Sequence, residues 1–123
     1  MKKVIFVTVF ALLTTVFFAQ NTPDPKLLGP VKASDFQQAP YAQWYNPGYQ
    51  NYIPNPAIEG QLKQQNTASI SIKIVFGSWC GDSKRELPRM MKLLEKINFP
   101  TQKISLIGVD NADSTYKQSP GRE

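Results

Sequence analysis

Cys80 is the only cysteine of the 123-residue chain, and the chain has no histidine. Without histidine, Cys-His nucleophilic pairs and most zinc sites are excluded. Without a second thiol, no intramolecular disulfide can form. A lone cysteine is then a reactive thiol, half of an intermolecular bridge, or a small buried core residue. Its neighbours favour reactivity. The stretch Trp79-Cys80-Gly81-Asp82-Ser83 stands between an apolar run and a helical pattern. A cysteine at such a junction meets backbone N–H groups that lack intrahelical partners and the positive end of the helix dipole, and both favour the thiolate. Lys84 and Arg85, one turn on, add to that effect, whereas Asp82 and Glu86 oppose it. Ser83 is either a hydrogen-bond donor to the thiolate or an ordinary first-turn helix residue. Trp79 is placed to shield one side of the sulfur, and Gly81 to let another chain approach closely.

The elements that position this turn are legible from periodicity. Ile70-Ser71-Ile72-Lys73-Ile74-Val75-Phe76 alternates and then becomes continuously apolar, as a strand does on entering a buried sheet. Gly77-Ser78 breaks it. From Ser83 to Asn98, Leu87, Met90, Met91, Leu94 and Ile97 recur at three- and four-residue steps and make one apolar helix face. Pro88 falls inside that helix, where it removes one backbone hydrogen bond and bends the axis. Phe99-Pro100 ends the helix, and Ile104-Ser105-Leu106-Ile107-Gly108-Val109 forms a second buried strand. Strand, helix and strand within about forty residues predict a right-handed parallel unit.

Two stretches precede this unit. Lys2-Lys3, the apolar run Val4 to Phe18, and Ala19 before polar Gln20-Asn21 have the layout of a secretory signal peptide, residues 1–19, cleaved after Ala19. The protein is therefore expected to be exported, either periplasmic or secreted. An uncleaved membrane anchor is the alternative, although the run is short for a bilayer span. Residues 20–66 form an extension rich in Pro, Tyr and Asn. Its prolines at 23, 25, 30, 40, 47, 54 and 56 argue against a long helix or a central strand. Asn46-Pro47-Gly48 and Asn55-Pro56 read as turns. Pro56 also suits the first turn of a short helix through Ile58, Leu62 and Gln65. The extension's aromatics are free either to lie across a neighbouring sheet or to meet a partner.

The formal net charge of +5 includes the two leader lysines. The remaining excess lies at helical spacings in Lys84, Arg85, Arg89, Lys92 and Lys96, as a solvated helix face does. No basic stripe with interleaved aromatics appears, so nucleic acid is not an expected partner. Membrane contact is expected only through the leader, if it is not cleaved.

From the strand at 70–76 through Trp79-Cys80-Gly81-Asp82-Ser83 and Pro88 to Asp110, the sequence resembles the thioredoxin superfamily. It is most similar to exported bacterial proteins whose turn reads Trp-Cys-Gly-Asp-Ser-Lys-Arg-Glu. The expected fold is α/β: the N-terminal β-α-β half of a thioredoxin-like fold, within residues 67–123, preceded by an irregular extension. The resemblance implies that Cys80 is the nucleophile, that Pro88 is the helix-kinking proline, and that Ser83 stands where a resolving cysteine would. It also implies a helix, two antiparallel strands, a last helix and a cis-proline loop after the second strand. Residues 111–123 do not provide these, so a partial domain is expected, as from a truncated reading frame or gene fragment. About 60 ordered residues are marginal for independent stability.

A dithiol enzyme attacks with one cysteine and releases its mixed disulfide with the other. The expected function is therefore that of a thioredoxin-like thiol protein of the cell envelope. It would perform single-cysteine thiol-disulfide exchange or sense oxidant through Cys80. The alternatives are a non-catalytic binding module on the same scaffold, or an inactive fragment. Expected partners are protein thiols and disulfides or a reductase. Cys-x-x-Ser is also similar to monothiol glutaredoxins, but those carry an aromatic where Asp82 stands. No iron–sulfur cluster, other cofactor or metal is expected.

Overall fold

The computed structural model describes residues 23–121, and the leader lies outside them. In chain order the elements are β1 (Gly29–Val31), α1 (Ala42–Asn51), α2 (Pro56–Lys63), β2 (Ile72–Phe76), α3 (Gly81–Lys96) and β3 (Ile104–Gly108). β2 and β3 pair in parallel, with Ile74 opposite Leu106 and Phe76 opposite Gly108. With α3 between them, they form a β-α-β unit, as their apolar patterns require. The fold is α/β.

The extension is not irregular, and this corrects the sequence-based expectation. It contributes β1, which pairs antiparallel with β3 and sets Pro30 opposite Ile107. The sheet order is therefore β1-β3-β2. A proline is tolerated in β1 because that strand lies at the sheet edge. The extension also contributes α1, which runs straight through Asn46-Pro47-Gly48 instead of turning there. What overrides the proline is packing. Tyr41, Trp44, Tyr45, Gly48, Tyr49 and Tyr52 recur at three- and four-residue steps, so a helix gathers them on one side. Pro56 opens α2, and Asn55, read only as part of a turn, caps it: its side-chain oxygen accepts from the N–H groups of Ala57 (2.9 Å) and Ile58 (3.3 Å).

The core joins the extension to the β-α-β unit. Phe36, in a short 3-10 helix over Ala33–Gln37, is fully buried. Its ring stacks on Tyr45 at 4.8 Å and lies 5.4 Å from Phe76 of β2. Leu87 of α3 and Leu106 of β3 complete the cluster. Residues that the sequence assigns to a separate extension thus fill the space under the sheet. Burying a side chain such as Phe36 contributes about 1.5–3 kcal/mol. Three apolar positions differ from expectation: Ile70, ahead of β2, is 46% exposed, and Met90 and Val75 are 45% and 57% exposed. Met90 and Val75 line an open groove between α3 and the edge of β2, where β2 has no partner strand among the described residues.

Candidate active site at the start of helix α3

β2 ends at Phe76 and the chain reaches α3 in four residues, Gly77-Ser78-Trp79-Cys80. The Cys80 N–H donates to the Gly77 carbonyl (2.9 Å), closing the turn, and the Cys80 carbonyl accepts from the Lys84 N–H (2.9 Å), opening the helix. Cys80 is thus the N-cap residue of α3, with extended backbone angles and a partly exposed side chain.

The Cys80 thiol is held below its ordinary value. The largest cause is the Ser83 backbone N–H near the sulfur; the Asp82 N–H and the Ser83 hydroxyl act in the same sense. Burial and the Asp82 carboxylate oppose them. Lys84 and Arg85 were expected to assist, but neither contributes. Arg85 is instead occupied by Asp82 (3.0 Å) and Glu86 (2.6 Å). The activation therefore comes from hydrogen-bond donors at the helix start and not from side-chain cations.

Ser83 has a second contact. The Gly77 N–H donates to its hydroxyl oxygen at 3.2 Å. That amide occupies a lone pair of the oxygen and leaves the hydroxyl proton free to be donated. Strand end and helix start, on either side of Cys80, are linked through this one side chain.

Trp79 does not stand free beside the sulfur. Its indole N–H donates to the Val109 carbonyl (2.8 Å) and its ring lies 6.1 Å from that of Tyr116. It also lies directly over Gly77, where an added Cβ would come within 2.6 Å of the indole. Trp79 therefore fastens the turn to the end of β3. Gly81 is exposed, with open space where a side chain would be. Asp82 is exposed and paired with Arg85. Pro88 is fully buried in α3 against α1, where a Cβ on Gly48 would stand 2.7 Å from its ring.

Sequence reading missed Ser78 and treated it only as a strand breaker. It is buried, and its hydroxyl accepts from the Leu27 N–H at 3.0 Å, which ties the N-terminal segment to the turn. Asp110, read only as the end of a strand, anchors that segment too, through Lys26 at 2.6 Å. Nothing local in the sequence announces either contact, because each joins residues more than fifty positions apart. No protein-family model, curated protein or solved structure matches this chain.

The arrangement supplies one partly exposed sulfur at a helix N-cap whose thiol is held below its ordinary value. It can attack an electrophilic sulfur or a peroxide oxygen. It offers no second thiol to expel what it captures, and the Ser83 hydroxyl cannot form a disulfide.

Proposed function

We propose that this chain is an exported thioredoxin-like thiol protein acting through Cys80 as a single nucleophile. The observation that carries the proposal is the place of Cys80, partly exposed at the N-cap of α3, where the nearby Ser83 and Asp82 N–H groups and the Ser83 hydroxyl favour the thiolate. In the reaction, the thiolate attacks one sulfur of a partner disulfide and forms a mixed disulfide. The partner's other sulfur leaves with the bonding electron pair and is protonated by solvent. With a peroxide, the thiolate takes the terminal oxygen and becomes a sulfenate, while the peroxide is reduced to an alcohol or water. In either case an external thiol must restore Cys80. Export is supported by the leader pattern of residues 1–19, and the thioredoxin kinship by the Trp-Cys-Gly-Asp-Ser turn between a buried strand and a proline-containing helix.

The test is mass spectrometry of the full chain after exposure to hydroxyethyl disulfide. The expected product is a stable one-to-one adduct on Cys80 that persists until dithiothreitol is added. Absence of an adduct over hours at pH 8 would contradict the proposal. A second reading, a non-catalytic binding module, is favoured by Ser83 at the resolving position. It predicts that Cys80→Ala retains full partner capture, whereas the thiol reading predicts its loss.

A further inference from the structure

A groove of about 530 Å³ opens between α1 and the first turns of α3 and reaches Gly81, the residue after Cys80. Ligand sites are commonly about 300–1,000 Å³. One end of the groove is Gly81, the residue after the nucleophile, where there is no side chain to block approach. Its wall is aromatic and aliphatic: Trp44, Tyr52 and Ile53, the last 82% exposed. Its charged lining consists of Lys84, Arg85 and Arg89; Arg85 is paired with Asp82 (3.0 Å) and Glu86 (2.6 Å), and Arg89 with Glu86 (3.6 Å). Asp82 and Glu86 face the groove on the other side of α3. Arg89 lies over the Tyr52 ring at 5.7 Å, which presents a flat cationic–aromatic surface. Among the described residues Lys84 makes no ion pair, so its charge is open to a ligand. An exposed isoleucine beside aromatics and cations is the composition of a recognition surface, not of a solvated helix face.

We infer that this groove docks the partner of Cys80, and that the partner is an acidic polypeptide segment with an apolar residue near its disulfide. The inference rests on the nucleophilic reading of Cys80 and adds the substrate class. Carboxylates of the segment meet Lys84 and compete with Asp82 and Glu86 for Arg85 and Arg89, while its apolar side chain covers Ile53 and Trp44. The disulfide then lies over Gly81, within reach of the Cys80 thiolate. The thiolate displaces one partner sulfur, the partner S–S bond breaks as the new S–S bond forms, and the departing thiolate takes its proton from solvent. Disulfide number is conserved, so no further oxidant or reductant is consumed.

The test uses the full chain and two synthetic peptides. Each carries one cysteine joined by a disulfide to thionitrobenzoate, whose release is coloured. One peptide has Glu and Leu around the cysteine, and the other has Lys and Leu. Neutral dithiodipyridine serves as a third reagent. The acidic peptide is expected to react about five- to tenfold faster than the basic one at low ionic strength, an advantage that shrinks severalfold in 0.5 M salt. In Lys84→Gln, and in Lys84→Gln/Arg89→Gln, the ratio of the two peptide rates falls stepwise towards one. Because this is a ratio within each variant, any change in Cys80 reactivity cancels. Equal rates for the two peptides in the unmodified chain, or a ratio unchanged in both variants, would overturn the groove assignment while dithiodipyridine still reacts. Failure of dithiodipyridine to react would instead overturn the nucleophilic reading, and the groove assignment with it.

Discussion

The Ser83 and Asp82 N–H groups and the Ser83 hydroxyl at the start of α3 favour the Cys80 thiolate over the thiol. Ser83 also accepts from the Gly77 N–H. Ser83→Ala therefore removes a donor from the thiolate and an acceptor from a buried amide at once. The thiol is expected to ionise less readily, and alkylation of Cys80 at pH 7 to slow by about three- to tenfold, the scale of one net hydrogen bond. Leaving the Gly77 amide without its partner adds a stability cost of about 1–3 kcal/mol. Iodoacetamide kinetics and urea unfolding of the same variant measure the two effects. Ser83→Thr keeps the hydroxyl and is expected to restore most of the rate, which separates a role at the sulfur from mere loss of packing.

At the scale of elements, the contact between α1 and α3 positions the turn. Gly48 of α1 faces Pro88 of α3 so closely that a methyl group there would stand 2.7 Å from the proline ring. Gly48→Ala gains up to about 1 kcal/mol of helix propensity, but overpacking of this kind costs about 1–3 kcal/mol. Both contacting groups are stiff, so the clash is expected to win. The denaturation midpoint in urea should fall at unchanged slope.

These same elements show what the sequence makes legible. β2, α3 and β3 are plain in it because each buries a face whose apolar residues follow the element's own period. α1 is masked by Pro47-Gly48, which carries the local signature of a turn. The competing signal was present in the aromatic spacing from Tyr41 to Tyr52, but its weight comes from Phe36 and Pro88, which lie outside the segment. β1 is three residues long with a proline at its centre, and only its pairing with β3 makes it a strand. At the site, Cys80 and Ser83 are legible from position. The fastening of Trp79 to Val109 and of Leu27 to Ser78 is not, since it depends on chain crossings that no local pattern records.

At the scale of the molecule, the aromatic core gives stability an alkaline limit. Burial, with the nearby Glu95 carboxylate, pushes the Tyr45 phenol up to about 12. Tyr49 is likewise pushed up to about 12, by burial and then by its hydrogen bond to Glu95. In the unfolded chain both phenols ionise near 10. The folded state therefore keeps protons that the unfolded state releases. Their contribution is fully present below about pH 10 and is lost as the pH rises towards 12. Urea midpoints taken from pH 8 to pH 11.5 are expected to fall above pH 10, and less steeply in Tyr45→Phe. An unchanged midpoint across that range would contradict this account of the core. The core, the strand end and the α1–α3 contact converge on one sulfur, and its ionisation is the most direct measure of the whole. Iodoacetamide alkylation of Cys80 in the full chain, followed against pH, is expected to show a midpoint clearly below about 8.5, the ordinary free-cysteine value. A midpoint at or above that value would contradict the claim that this fold activates Cys80.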